Sequence, residues 1–120
     1  CGGYIDFLRE SAMGNEGRPL ALDPEYEAWL RRVQPNRFPD RVVHAQLLLM
    51  ARTGDPVIPI SCVDETARLL EKAYARARQG DRFRYARLDL EGHGLGPEEG
   101  RENFAWLRSR LLGRPTTSLP

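Results

Sequence analysis

Hydrophobic residues along this chain recur with two different periods, and the switches between them predict its elements. Near the start, Tyr4, Phe7 and Leu8 follow Gly2-Gly3 at helical spacing and predict a short helix. From Ser11 to Pro24 the breakers Gly14, Gly17, Pro19 and Pro24 predict a loop. A helix then starts at Pro24, with Asp23 as its N-cap and with Glu25 and Glu27 complementing the helix dipole; Pro35 and Pro39 stop it. The run Leu47-Leu48-Leu49-Met50 has no polar alternation, which predicts a strand over 45–51 buried on both faces, with a loop over 52–56 behind it. Ser61 is expected to cap a long helix, and Asp64 completes a capping-box pattern. Val63, Ala67, Leu70, Ala73, Tyr74 and Ala77 line one face of that helix, and Gly80 ends it. From Arg82 to Leu90 the pattern alternates, Phe83 and Tyr85 to one side, Arg84, Ala86 and Leu88 to the other: a half-exposed strand near a sheet edge. Pro97-Glu98-Glu99 opens a last helix with Phe104, Leu107 and Leu111 on its buried face and Gly113 past its end.

From Ala45 onward the order is strand, loop, helix, strand, loop, helix. That order predicts the α/β class, with two strands joined by a helix in a right-handed parallel unit. Residues 42–113 are expected to form this unit, preceded by a helix and linker over 1–41 and followed by a tail over 114–120. In parallel α/β units, chemistry gathers at the C-terminal ends of the strands. Asp55 follows the first strand and His93 the second, so both side chains are expected at one rim of the sheet, on neighbouring loops.

Composition narrows the possibilities. A chain of 120 residues, 41% apolar and 29% charged, fits one globular domain and leaves no room for two. Lys plus Arg number 18 against 17 Asp plus Glu; a net charge of +1 sets up no field to attract nucleic acid or an anionic membrane. The longest apolar run, Ala45 to Ala51, is interrupted by Gln46 and is too short to span a bilayer. No signal segment opens the chain, and Cys1 and Cys62 read as free thiols, which together point to a reducing, cytoplasmic compartment. The first residue is Cys1 and not Met, as in a processed chain or a fragment. Trp29, Trp106 and Tyr74 are expected in the core, and His44 at the start of a strand. His93, His44, Asp55 and Asp89 have no spacing typical of a metal site, so neither a metal nor a cofactor is expected.

A carboxylate beside a histidine has a defined chemical use. It accepts a hydrogen bond from one imidazole nitrogen, fixes the tautomer and stabilises the imidazolium, while the other nitrogen takes a proton from a nucleophile. On spacing alone the pair equally fits a blander arrangement, in which Asp55 caps a turn before Pro56 and His93 is an ordinary loop residue. The local text adds to this. Leu47 to Pro59, with Arg52-Thr53-Gly54-Asp55-Pro56-Val57 at its centre, resembles the segment that carries the triad acid in α/β-hydrolases. Glu91-Gly92-His93-Gly94-Leu95, ahead of a final helix, resembles the segment that carries the triad histidine. Cys1-Gly2-Gly3-Tyr4 is similar to the tail of a nucleophile elbow, Gly-x-Ser-x-Gly-Gly-Tyr.

The branch most resembled is the prolyl oligopeptidase group of serine peptidases and its acyl-hydrolase relatives, on Trp29 to Pro35, on Glu91 ahead of Gly92-His93-Gly94, and on Phe104 to Gly113. The likeness covers the last two-thirds of the chain and its first few residues. It implies a serine hydrolase acting on a peptide or small ester through an acyl-enzyme, a sheet larger than this parallel unit, and an elbow-helix remnant with a shortened or lid-like linker over 1–41. Asp55 would orient His93, His93 would be general base and then general acid, and the backbone N–H of Cys1 would donate to the oxyanion. The nucleophilic serine would lie outside the 120 residues, immediately before Cys1. Ala51-Arg52 stand where the family usually has His-Gly. The alternative is a non-catalytic remnant or interaction module on the same scaffold. Either way, an uncovered sheet edge is expected to bring self-association, or pairing with the rest of the hydrolase domain.

Overall fold

The structure is a computed structural model and describes residues 21–113. Cys1, the expected helix behind Gly2-Gly3, most of the following loop and the tail lie outside the described residues.

Helix α1 (Pro24–Val33) starts as its sequence requires: the Asp23 carboxylate accepts hydrogen bonds from the N–H groups of Glu25 (2.9 Å) and Tyr26 (3.1 Å). Leu30 is the helix's buried residue. Trp29, expected in the core, is 54% exposed and stacks on Tyr26 with ring centroids 5.9 Å apart. Two short 3-10 turns, Pro35–Arg37 and Pro39–Val42, follow.

Strand β1 (Leu47–Gly54) lies further along the chain than its apolar run predicts. Residues 42–46 cannot join it because their backbone is committed elsewhere. Ala45 N–H donates to the Val42 carbonyl, the Tyr74 hydroxyl donates into the carbonyls of Val42 and Ala45, and Arg82 donates to the carbonyl of His44. His44 therefore sits in a turn and starts no strand. Arg52, Thr53 and Gly54, expected in a loop, extend the strand. All eight residues are half-buried, where full burial is expected, because among the described residues β1 has a single neighbouring strand.

Helix α2 (Ile60–Arg76) has Pro59 as its N-cap residue, with no side-chain capping bond, so the Ser61–Asp64 capping box does not form. Asp64 instead accepts from the Tyr85 hydroxyl (2.8 Å) and from Arg87 Nε (3.2 Å) across the sheet. The expected face is buried at Val63, Ala67, Leu70, Ala73 and Tyr74, joined by Cys62 and Thr66. Ala77 is exposed: Arg78 takes a left-handed conformation (φ 56°) and Gln79 N–H returns to the Tyr74 carbonyl, which ends the helix before Gly80. Cys62 is disulfide-bonded, against the free thiol expected, and the free-thiol ground for a cytoplasmic setting goes with it.

Strand β2 (Phe83–Glu91) pairs with β1 in parallel, Leu47 opposite Phe83 through Arg52 opposite Leu88, with an irregularity that brings Gly54 opposite Glu91. The protein is thus mixed α/β, helices on a two-stranded parallel sheet. Alternation along β2 places two helices on opposite faces. Phe83 stacks on Tyr74 of α2 (5.3 Å), whereas Arg84 on the other face pairs with Glu102 (2.6 Å) of α3 (Pro97–Leu112). The buried residues of α3 are Glu99 and Trp106, not the expected Phe104, Leu107 and Leu111, which are 57%, 46% and 78% exposed. A helix against two strands meets too little sheet to cover its wider apolar face.

Candidate active site at the rim of the parallel pair

Parallel pairing brings the ends of β1 and β2 to the same rim, and the loops behind them carry Asp55 and His93. Gly92 N–H donates to the Gly54 carbonyl (3.1 Å), which ties the two loops together. His93 stands between Gly92 (φ 84°) and Gly94 (φ 135°). Both lie where an L side chain is strained, so glycine on each side lets the chain turn sharply and project the imidazole.

His93 Nδ1 is 2.9 Å from Asp55 Oδ2 and 3.2 Å from Oδ1. Oδ1 also accepts from the N–H groups of Val57 (2.8 Å) and Ile58 (3.0 Å). The two arrangements that the spacing left open therefore coexist on one carboxylate: one oxygen caps the turn before Pro56 while the other faces the imidazole. Burial pushes the Asp55 carboxyl toward the neutral form, but the Ile58 N–H, the His93 imidazole and the Val57 N–H outweigh it and hold its pKa below the ordinary aspartate value. Asp55 is tucked in, at 11% side-chain exposure, and His93 is open, at 49%. With Nδ1–H donating to Asp55, the ring keeps its Nε2 lone pair for a proton. Beside the pair is an open cavity of about 270 Å³, with Met50, Ile58 and Leu95 among its lining. Leu95, two residues past the histidine, is 88% exposed.

Two further charged residues line the same cavity, and sequence reading did not single them out. The Arg52 guanidinium grips the Glu99 carboxylate through Nε and through Nη2 (3.0 Å), and its Nη1 donates to the Glu91 carbonyl (2.8 Å). Glu99 also accepts from Gly96 N–H (2.9 Å). The Arg52 hydrogen bond is the main cause that lowers the Glu99 pKa to about 2. The signal was present: Arg52 is a lone cation directly behind the apolar run, and Glu99 is the third residue of a helix opened by Gly96-Pro97.

Other candidates do not converge on this rim. His44 precedes β1 and so belongs to the far end of the strands. Asp89 accepts from the Thr53 hydroxyl (2.9 Å). Among the described residues no group of three or more His, Cys, Asp or Glu is placed to hold a metal ion, and no helix is long and apolar enough to cross a membrane. Cys1, expected to donate to an oxyanion, lies outside the described residues. No protein-family model, no curated protein and no solved structure matches the chain.

Proposed function

We propose that the chain is the C-terminal part of an α/β-hydrolase and supplies the acid and the base of a Ser-His-Asp triad. The observation that carries this is the 2.9 Å contact between Asp55 Oδ2 and His93 Nδ1 at the shared rim of two parallel strands. The nucleophilic serine comes from a segment outside the 120 residues. Its hydroxyl oxygen attacks the carbonyl carbon of a peptide or small ester, and His93 Nε2 takes the hydroxyl proton. The same nitrogen returns that proton to the leaving amine or alcohol as the tetrahedral intermediate collapses and the bond from the acyl carbon to that group breaks, which leaves the acyl-serine ester. Water, deprotonated by His93, then releases the acid and regenerates the serine. Asp55 stays ionised throughout and holds the imidazole in its productive tautomer, while the N–H of Cys1 donates to the oxyanion.

The test is labelling with a fluorophosphonate, which reacts with an activated serine. The polypeptide carrying these residues together with the preceding segment should be labelled, and His93→Ala should lose the label while keeping its fold. Unchanged labelling of the alanine variant would remove His93 from the mechanism.

A second function, a non-catalytic interaction module, is favoured by one feature. Phe104, Leu107 and Leu111 present an apolar strip to solvent on α3. The coding sequence ahead of Cys1 separates the two: Gly-x-Ser directly before it supports the hydrolase, and its absence supports the module. In both cases the remaining strands of the sheet, or a second copy of the chain, are the expected covering.

A further inference from the structure

We infer that Arg52 and Glu99 are positioning residues that clamp both ends of the loop carrying His93. The loop, 92–95, contains two glycines, and a glycine-rich segment has the most backbone freedom to lose on ordering. The ion pair holds each of its ends. On the strand side, Arg52 Nη1 binds the carbonyl of Glu91, the last residue of β2. On the helix side, Glu99 binds the N–H of Gly96, the residue before α3, at 2.9 Å. The guanidinium joins these two anchors through its contacts with the Glu99 carboxylate. His93 thus sits in the middle of a short span whose ends are fastened to β1 by one fork of hydrogen bonds.

Burial makes a purely stabilising role a poor account of the pair. Arg52 keeps 17% of its side-chain exposure and Glu99 only 4%. Withdrawing two charges this far from water costs desolvation that apolar residues of similar volume would avoid. Such residues could fill the space but could not hold a carbonyl and an amide N–H at fixed positions. Lysine could not replace Arg52 fully, since a single ammonium lacks the planar fork that reaches two acceptors at once. Both residues also line the cavity beside Asp55 and His93, so the clamp acts on the imidazole through the two ends of its loop.

The catalytic consequence rests on the proposal that Asp55 and His93 work as a pair, but the clamp can be tested without turnover. In the full chain, long-range nitrogen–proton correlation spectra of the His93 ring, recorded with the imidazole neutral, report which nitrogen holds the proton. The parent should show the proton on Nδ1, facing Asp55. In Arg52→Met the ratio of the Nδ1–H to the Nε2–H form should fall about tenfold, the scale of losing one charge-assisted hydrogen bond. Arg52→Lys should recover part of that loss, and Glu99→Gln, which keeps an acceptor for Gly96 but weakens the grip on Arg52, should fall between. A ratio within about twofold of the parent in folded Arg52→Met overturns the clamp; should that variant not fold, the same result in Glu99→Gln does so. Failure of fluorophosphonate labelling would strike the hydrolase proposal and leave the tautomer result standing, and the reverse holds equally.

Discussion

Replacing Asp55 by asparagine separates the two duties of its carboxylate. The amide oxygen can still accept from Val57 and Ile58, so the turn is kept, but the charge facing His93 Nδ1 is gone. With roughly 4 Å between charge centres and an effective dielectric near 20, a carboxylate stabilises an imidazolium by about 4 kcal/mol. The imidazolium forms only as the proton leaves the nucleophile, so that energy belongs to the transition state, where it corresponds to about 10³-fold in rate. Folding should change far less, because asparagine keeps the acceptor for the turn and sheds the burial cost of the charge, which offsets part of what the ionised carboxylate contributes. The expected cost is about 1 kcal/mol, or roughly 4 °C in Tm for a domain of this size. Asp55→Ala, which also strips the acceptor from two backbone N–H groups, should lose the same rate but about twice the stability. The assay is hydrolysis of a chromogenic acyl ester by the polypeptide that includes the serine segment, with thermal unfolding alongside. Asparagine retaining kcat/KM within about tenfold of the parent would refute an orienting carboxylate. So would rates that follow stability through the two substitutions.

Other expectations concern the rest of the framework. The fold holds the Glu99 pKa near 2 against an ordinary 4.5, so its ionised form stabilises the protein above about pH 4.5, and that stability drains away as pH falls toward 2; Asp55, also lowered, acts in the same direction. Thermal melts of Glu99→Gln across that window should slope less than those of the parent, and equal slopes would contradict this. Tyr74→Phe removes the hydroxyl that donates to the Val42 and Ala45 carbonyls from a fully buried ring, and should lower stability by about 1–2 kcal/mol in denaturant unfolding. Phe104→Lys and Leu111→Lys fall on the uncovered face of α3, so each should change stability by only about 0.5 kcal/mol while reducing self-association in sedimentation velocity.

The uncovered face bears on how the chain is used. Phe104, Leu107 and Leu111 recur at helical spacing, as the buried stripe of α2 does, yet they face solvent. Amphipathic spacing states that a face is apolar; only the neighbouring elements state whether it is covered. The two strands among the described residues leave it uncovered.

Local patterning was enough to predict what depends on near neighbours in the chain. Asp23 capping α1, the buried face of α2, the alternation of β2, and the placement of Asp55 and His93 behind successive parallel strands all follow from periodicity and breakers read a few residues at a time. Tertiary structure decided whatever depends on a partner far along the chain. Tyr74, about thirty residues away, pulls 42–46 out of the strand; Asp64 leaves its capping role for Tyr85; and Arg52 finds Glu99 across 47 positions. For residues 42–46 and for Asp64, the group has two possible partners of similar chemistry, one local and one distant. The choice falls to whichever the packed sheet and helices bring within bonding distance, a quantity no window of sequence contains.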